Sequence, residues 1–202
     1  MIKTSVYIVD DDQQVRESLA WLLESVQLTT QLFANGHEFL EQFTPGLSGC
    51  VVLDVRMPGI NGMDLHKSIK EIDEHFPVII VTGHADVPMA LRAMKEGAFD
   101  FIEKPYNDQH LLERIQAAIH HYDDIQKQHE KDQELSTLFN QLSKREQQVL
   151  TEILKSVPNK RIAENLCISI KTVEVHRANL MSKLRVKTIT ELVRLAIKAD
   201  KA

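Results

Sequence analysis

The strongest constraint on this chain is a series of short apolar, β-branched runs that alternate with helical-period segments over its first hundred or so residues. Ser5-Val6-Tyr7-Ile8-Val9 leads into Asp10-Asp11-Asp12, and a second run covers residues 28–33. Cys50-Val51-Val52-Leu53 ends at Asp54, Val78-Ile79-Ile80-Val81 ends at Thr82, and Phe99-Asp100-Phe101-Ile102 is followed by Lys104-Pro105. Runs of this length and composition, bounded by turn formers, read as buried strands. Between them the apolar period is helical: Val15, Leu19, Leu22, Leu23 and Val26 after a cap at Asp12, then Phe39, Leu40 and Phe43 after a cap at Asn35. Residues 61–75 and 86–96 read as two further helices, the latter closed by Gly97.

Strands alternating with helices imply an α/β fold in which both faces of a parallel sheet are covered. Five such units match a doubly wound, five-stranded parallel sheet of the flavodoxin-like order 2-1-3-4-5. In such sheets ligands sit beyond the carboxyl ends of the strands. Those ends carry Asp10, Asp11, Asp54, Thr82 and Lys104. Topology therefore predicts a single site made of three carboxylates, a hydroxyl and an ammonium.

The remainder has no strand pattern. Residues 120–141 are polar, lack Pro and Gly, and read as a helical linker with sparse apolar positions at Ile125, Leu135, Leu138 and Phe139. Ser143-x-x-Glu146 is a capping box that opens a helix, Lys160 to Leu166 is a short helix, Ser169 caps a longer one, and Thr188-x-x-Glu191 is a second box. Four helices with a tight turn between the middle two read as an all-α helix-turn-helix domain. The expected organisation is a domain over 1–120, a long helical linker over 121–142, and a four-helix domain over 143–202.

Charge divides the same way. Residues 1–142 carry a net −12 and residues 143–202 a net +7. Clustered Lys and Arg suit phosphates, so the basic end is the candidate for nucleic acid. Only Cys50 and Cys167 are present, without C-x-x-C spacing, which argues against a cysteine zinc site and for a reducing compartment. No apolar run approaches a membrane span, and Met1-Ile2-Lys3-Thr4-Ser5 leads straight into a strand, so neither membrane association nor a signal peptide is expected. The expected location is the cytoplasm.

Three carboxylates in one pocket repel: at an effective dielectric near 20, a pair ~4 Å apart costs about 4 kcal/mol. Protons or a divalent cation must offset that charge, and oxygen-only ligands suit Mg²⁺. A carboxylate beside such a cation attacks a phosphoryl group to form an acyl phosphate, with the metal and a lysine neutralising the transferred oxygens. Asp54 stands alone at the end of the central strand and is the candidate nucleophile. Asp10 and Asp11 would hold the metal, and Thr82 and Lys104 sit where a phosphoryl oxygen needs a donor and a cation.

These motifs resemble a known family. Val9-Asp10-Asp11-Asp12, Leu53-Asp54-Val55-Arg56-Met57-Pro58-Gly59, Val81-Thr82-Gly83-His84 and Glu103-Lys104-Pro105 are similar to the signature of bacterial two-component receiver domains. Leu142-Ser143-x-x-Glu146, Asn159-Lys160-x-Ile162-Ala163 and Thr172-Val173-Glu174-Val175-His176-Arg177-Ala178-Asn179 resemble the LuxR/NarL-type helix-turn-helix. Together they resemble the FixJ subfamily of response regulators over nearly the whole chain. The resemblance implies that Asp54 accepts a phosphoryl group from a sensor histidine kinase. It implies Mg²⁺ bound directly through Asp11 and Asp54, with Asp10 in support and the backbone carbonyl of Arg56 as a third protein ligand. It implies a cis bond between Lys104 and Pro105, and Thr82 and Phe101 as a switch pair; many receivers carry Tyr at the latter position, so Phe101 brings no phenolic hydroxyl. It implies self-phosphorylation from phosphohistidine or small phosphodonors rather than turnover of another substrate. A homodimer formed on phosphorylation through residues 87–101, promoter DNA and RNA polymerase are the further partners it implies.

In the expected recognition helix, Lys171, Glu174, Val175, Ala178 and Ser182 share one face by i, i+3, i+4 spacing, while Val173, Leu180 and Leu184 share the other and should be core. The first face should enter the major groove, with Lys160, Asn179 and Lys183 suited to phosphates. Thr172, His176 and Arg177 fall in the same motif. Glu174 either accepts from cytosine N4 or pairs with Lys171 or Arg177; His176 has no assigned role. A haloacid-dehalogenase-like phosphatase would want an Asp two residues after the nucleophile, where Arg56 stands, and a dinucleotide oxidoreductase would want G-x-G-x-x-G where Asp10-Asp11-Asp12 stands. An interaction module that keeps its aspartates but takes no phosphate remains the third class.

Overall fold

β1 (Ser5–Val9), β2 (Thr29–Phe33), β3 (Gly49–Asp54), β4 (Val78–Thr82) and β5 (Asp100–Glu103) pair in parallel in the order β2-β1-β3-β4-β5 in the computed structural model, which describes residues 4–199. Met1 to Lys3, part of the segment on which no signal peptide was expected, lie outside these residues. Every residue of β1, β3 and β4 is buried, as expected for central strands covered on both faces. Alternation sends Tyr7 and Val9 to one face and Val6 and Ile8 to the other. The first face packs on α2 (Gly36–Gln42), α3 (Gly62–Ile72) and α4 (Val87–Lys95) through Phe39, Leu65, Ile69 and Ala93. The second packs on α1 (Gln13–Ser25) and the start of α5 (Asp108–Asn140) through Leu19, Leu23, Leu111 and Ile115.

The caps read from sequence are present. Asp12 accepts from the Gln14 amide at 2.8 Å, and Asn35 from the Glu38 amide at 3.0 Å. One helix is shorter than its periodicity suggested. α3 stops at Ile72 because the Asp73 carboxylate takes the His75 and Phe76 amides, at 3.0 and 3.1 Å, in place of another helical turn. The same carboxylate accepts the Tyr122 hydroxyl at 2.6 Å, which ties α5 to this turn.

The chain divides into two compact units, Met1–Gln126 and Lys127–Ala202. The long helix expected after the fifth strand is α5, 33 residues in all. Its later apolar positions are not idle spacers: Leu135 is buried, and Leu138 and Phe139 pack on the core of the second unit. That core is formed by α6 (Lys144–Leu154), α7 (Asn159–Leu166), α8 (Ile170–Lys183) and α9 (Ile189–Ala199). Ser143 and Glu146 form a complete capping box. The second box is only half made: Thr188 Oγ1 accepts from the Glu191 amide at 3.2 Å, but Glu191 reaches back to the Lys187 amide instead. α7 ends on Cys167 in the left-handed region, φ 54°, and Ser169 caps α8 through the Thr172 amide at 3.0 Å. That is the turn between the middle two helices. Among the described residues, no helix is long and apolar enough to cross a membrane.

Candidate functional site

Register assembles the site. Val9 pairs with Leu53, Asp54 with Val81, and Thr82 with Glu103, so the residues that follow each strand emerge along one edge of the sheet. There Lys104 Nζ donates to Asp54 Oδ1 at 2.9 Å and to Asp10 Oδ2 at 2.7 Å. Both carboxylates are buried, at 8% and 6% exposure. Their second oxygens are also held: Asp54 Oδ2 accepts from the Arg56 amide at 2.6 Å and Asp10 Oδ1 from the Asp12 amide at 2.9 Å. Burial by itself would lower the Lys104 pKa, but hydrogen bonds and charge from Asp10 and Asp54 outweigh it and hold the ammonium above its ordinary value. The pocket thus carries a fixed cation between two carboxylates. Thr82 is buried beside them, and its Oγ1 accepts from the His84 amide at 3.3 Å.

Of the three carboxylates expected at this edge, Asp10 and Asp54 are paired through Lys104 and Asp11 is exposed. Among the described residues, no group of three His, Cys, Asp or Glu side chains is placed to hold a metal. Asp10 and Asp54 are drawn together by Lys104, whereas Asp11, one residue further into the turn, is exposed. The Lys104–Pro105 bond is cis. Arg56 and Pro105 are exposed, and Phe101 is half-buried against the apolar cluster of the first face.

Two contributors escaped the sequence reading. A Cβ on Gly62 would lie 2.1 Å from the Asp54 carbonyl oxygen, so only glycine lets α3 begin against the segment that carries Asp54. The Gly62 amide donates to the Val55 carbonyl at 2.8 Å there. A glycine just after a cap asparagine was visible in the sequence; the strand end it abuts was not. Arg16 donates to the Asp10 carbonyl at 2.6 Å and braces the turn after β1.

In the second unit, Val173, Leu180 and Leu184 are buried as their spacing requires. Lys171, Glu174, Val175, Ala178, Asn179 and Ser182 are exposed along α8, with Lys160 exposed on α7. Thr172, His176 and Arg177 are half-buried. Arg177 donates to Asn159 Oδ1 at 2.8 Å, across to α7. Lys183 is engaged inside its own unit: Nζ donates to Glu146 Oε2 at 2.7 Å and to the Gln141 carbonyl at 3.1 Å.

Comparison with known proteins agrees with this geometry. Residues 6–116 match the response regulator receiver domain family, and residues 140–196 match the luxR family of bacterial regulatory proteins. The chain is 44% identical over 198 residues to the transcriptional regulatory protein FixJ of Bradyrhizobium diazoefficiens, covering 98% of this chain and 96% of that one. It is 42% identical over 190 residues to the response regulator protein TodT of Pseudomonas putida, covering 94% and 84%. The solved structure of the response regulator StyR superposes with a TM-score of 0.92 at 41% identity, covering 97% of this chain and 99% of that one. A receiver pocket at the strand ends and a LuxR-type helix-turn-helix in one chain make this protein a member of the FixJ-type response regulators, the phosphorylation-dependent transcriptional regulators of two-component systems.

Proposed function

We propose that Asp54 accepts a phosphoryl group from the phosphohistidine of a sensor histidine kinase, and that this event controls dimerisation and binding to promoter DNA. The observation that carries the reading is the Lys104 ammonium held between Asp54 and Asp10. A carboxylate oxygen of Asp54 attacks phosphorus, the bond to the kinase imidazole nitrogen breaks, and that nitrogen keeps the electron pair. Lys104, cationic throughout, is within reach of the oxygens on which charge develops. The Thr82 hydroxyl accepts from the His84 amide and keeps its own proton available for a phosphoryl oxygen. Self-phosphorylation of this kind is typical of the family and needs no other substrate.

The donor set at the pocket is all oxygen, and Mg²⁺ takes only one or two protein carboxylates, so a pair plus an exposed third fits that ion without a preformed cage. Asp11, Asp54 and the Arg56 carbonyl, with Asp10 in support, are the residues that would hold it. When bound it supplies charge neutralisation at the phosphoryl oxygens.

A phosphoryl group brings roughly −2 charge and strong acceptors. Thr82 moving toward it leaves space that the half-buried Phe101 ring can fill. The neighbouring α4 exposes Val87, Leu91 and Met94, at 72%, 57% and 47%, an apolar strip suited to a second copy of the chain. Ala93 is fully buried and belongs to the core instead. In the second unit, the exposed Lys171, Glu174, Val175 and Ala178 would face the major groove, with Lys160 and Asn179 on phosphates, while the half-buried Thr172, His176 and Arg177 lie toward the rest of the unit and would hold the helix in place. Because Arg177 is engaged by Asn159, Lys171 is the remaining helical partner for Glu174 if that residue does not read cytosine. RNA polymerase is the further partner we assign to the DNA-bound form, in the cytoplasm.

The test is incubation with acetyl phosphate and Mg²⁺, followed by intact mass, sedimentation and promoter affinity. A phosphoryl mass gain with tighter self-association and DNA binding is expected. A fragment beginning at Lys127, where the second unit begins, separates two modes of control. Masking predicts that it binds DNA at least as well as the phosphorylated chain; dimerisation alone predicts weaker binding. If mass, sedimentation and affinity all ignore the phosphodonor, the protein is an interaction module and the reading fails.

A further inference from the structure

Arg177 lies in α8 between the exposed Val175 and Ala178, yet it is half-buried, and its Nη1 donates to Asn159 Oδ1 on α7 at 2.8 Å. A guanidinium carries its donors in a rigid planar fork, so the bond holds the two helices at a set separation. Its partner is the first residue of α7 and the immediate neighbour of Lys160.

The first turn of α7 has little else to hold it. Ser143 and Ser169 cap α6 and α8 with their own hydroxyls, through the Glu146 and Thr172 amides. α7 begins after Pro158, which makes no side-chain capping bond; the Pro158 carbonyl accepts from the Arg161 and Ile162 amides at 2.9 and 3.1 Å. Ile162 and Ala163 are buried in the core of the unit, so packing anchors the second turn, whereas Asn159 is half-buried and Lys160 and Arg161 are exposed. Helix ends fray unless they are tied down, and the Arg177–Asn159 bond ties this one back to α8. Arg161 pairs along its own helix with Glu164 at 3.2 Å, so that carboxylate does not compete for Lys160.

We propose that the Arg177–Asn159 bond positions Lys160: it fixes the first turn of α7 against the recognition helix, so that the phosphate contact from α7 and the base contacts from α8 are made together. This rests on the assignment of Lys160 to a DNA phosphate. Phosphate contacts set the register of a protein on its duplex, and they do so only when the cation is fixed to the element that reads the bases. Arg177 is thus a positioning residue that acts through Lys160. A neutral substitution at Asn159 should therefore behave as if a charge had been lost.

The experiment titrates a random-sequence DNA duplex with the full chain, treated with acetyl phosphate and Mg²⁺, at several salt concentrations, with circular dichroism on every variant. Phosphate contacts carry no sequence information, so no operator is needed. Lys160→Ala should lower the log–log salt slope by about one. Asn159→Ala should do the same, with roughly tenfold weaker binding at about 0.1 M salt, although it removes no charge. Lys160→Ala added to Asn159→Ala should change the slope no further, nor should Asn159→Ala added to Arg177→Ala. A slope unmoved by Asn159→Ala overturns the proposal, as does a full further fall when Lys160→Ala is added to it. An unfolded Asn159→Ala also overturns it, because the pair would then determine the fold rather than the position of Lys160. A slope that ignores Lys160→Ala in the otherwise unaltered chain overturns the phosphate assignment itself, and the proposal with it.

Discussion

Lys183, the last residue of α8, donates to Glu146 near the start of α6 at 2.7 Å, and the Glu146 side chain is only 5% exposed. The same Glu146 oxygen accepts from the Ser143 amide at 2.8 Å, closing the capping box. One carboxylate therefore joins the start of α6 to the end of the recognition helix, and Lys183 adds the Gln141 carbonyl at 3.1 Å. The Lys183 hydrogen bond, against the opposing effect of burial and with help from Ser143, holds the Glu146 carboxyl below its usual range. We assign Lys183 to this junction ahead of a DNA phosphate.

Lys183→Ala should destabilise the second unit by roughly 1–3 kcal/mol, since it removes a hydrogen bond to a charged group and leaves a buried carboxylate without its cation. Urea unfolding measures this. Because the Glu146 pKa is depressed on folding, its contribution is present above the ordinary value of 4.5 and is lost as pH falls through the folded value. The variant should lose the larger part of that acid sensitivity, the part Ser143 sustains remaining. Unchanged stability with uniformly weaker DNA binding would return Lys183 to the phosphates.

Asp54→Ala should abolish the phosphoryl mass gain and leave the fold intact, because it relieves one of two carboxylates crowded on a single ammonium. The check is intact mass under acetyl phosphate and Mg²⁺, with circular dichroism for the fold. A full mass gain in the variant would place the acceptor elsewhere.

Gly62→Ala should destabilise the first unit by about 1–3 kcal/mol, the ordinary cost of forcing an atom into packed structure, and should slow phosphorylation by displacing Asp54. The collision is with backbone, at 2.1 Å from the Asp54 carbonyl, so a side-chain rotation does not relieve it. Denaturant midpoint and the rate of mass gain are the two measurements.

Lys160→Ala, which removes the lysine assigned to a phosphate, should weaken binding to specific and random DNA alike and reduce the log–log salt slope by about one. Val175→Ala, at a 51% exposed position on the groove face of α8, should instead change the ranking of operator sequences. Titrations on operator and random duplexes at several salt concentrations separate the two. Equal effects of both variants on both duplexes would remove this face from sequence reading.

The sequence by itself determined the positions of the five strands, the caps at Asp12, Asn35, Ser143 and Ser169, and the buried face of α8, because each rests on local periodicity or on a side chain bonding an amide two or three residues away. It also placed Asp54, Thr82 and Lys104 at strand ends, which a parallel sheet must gather along one edge. What only the tertiary structure decided are pairings between residues far apart in the chain. Lys104 lies 50 residues from Asp54, and Lys183 lies 37 from Glu146. Periodicity shows which face of a helix is apolar, not which carboxylate a given lysine will meet. For the same reason the exposure of Asp11 beside two buried aspartates was not legible, and α3 was extended past the turn that Asp73 imposes. These outcomes depend on the distance between elements, a property of the assembled sheet and its covering helices that no local pattern encodes.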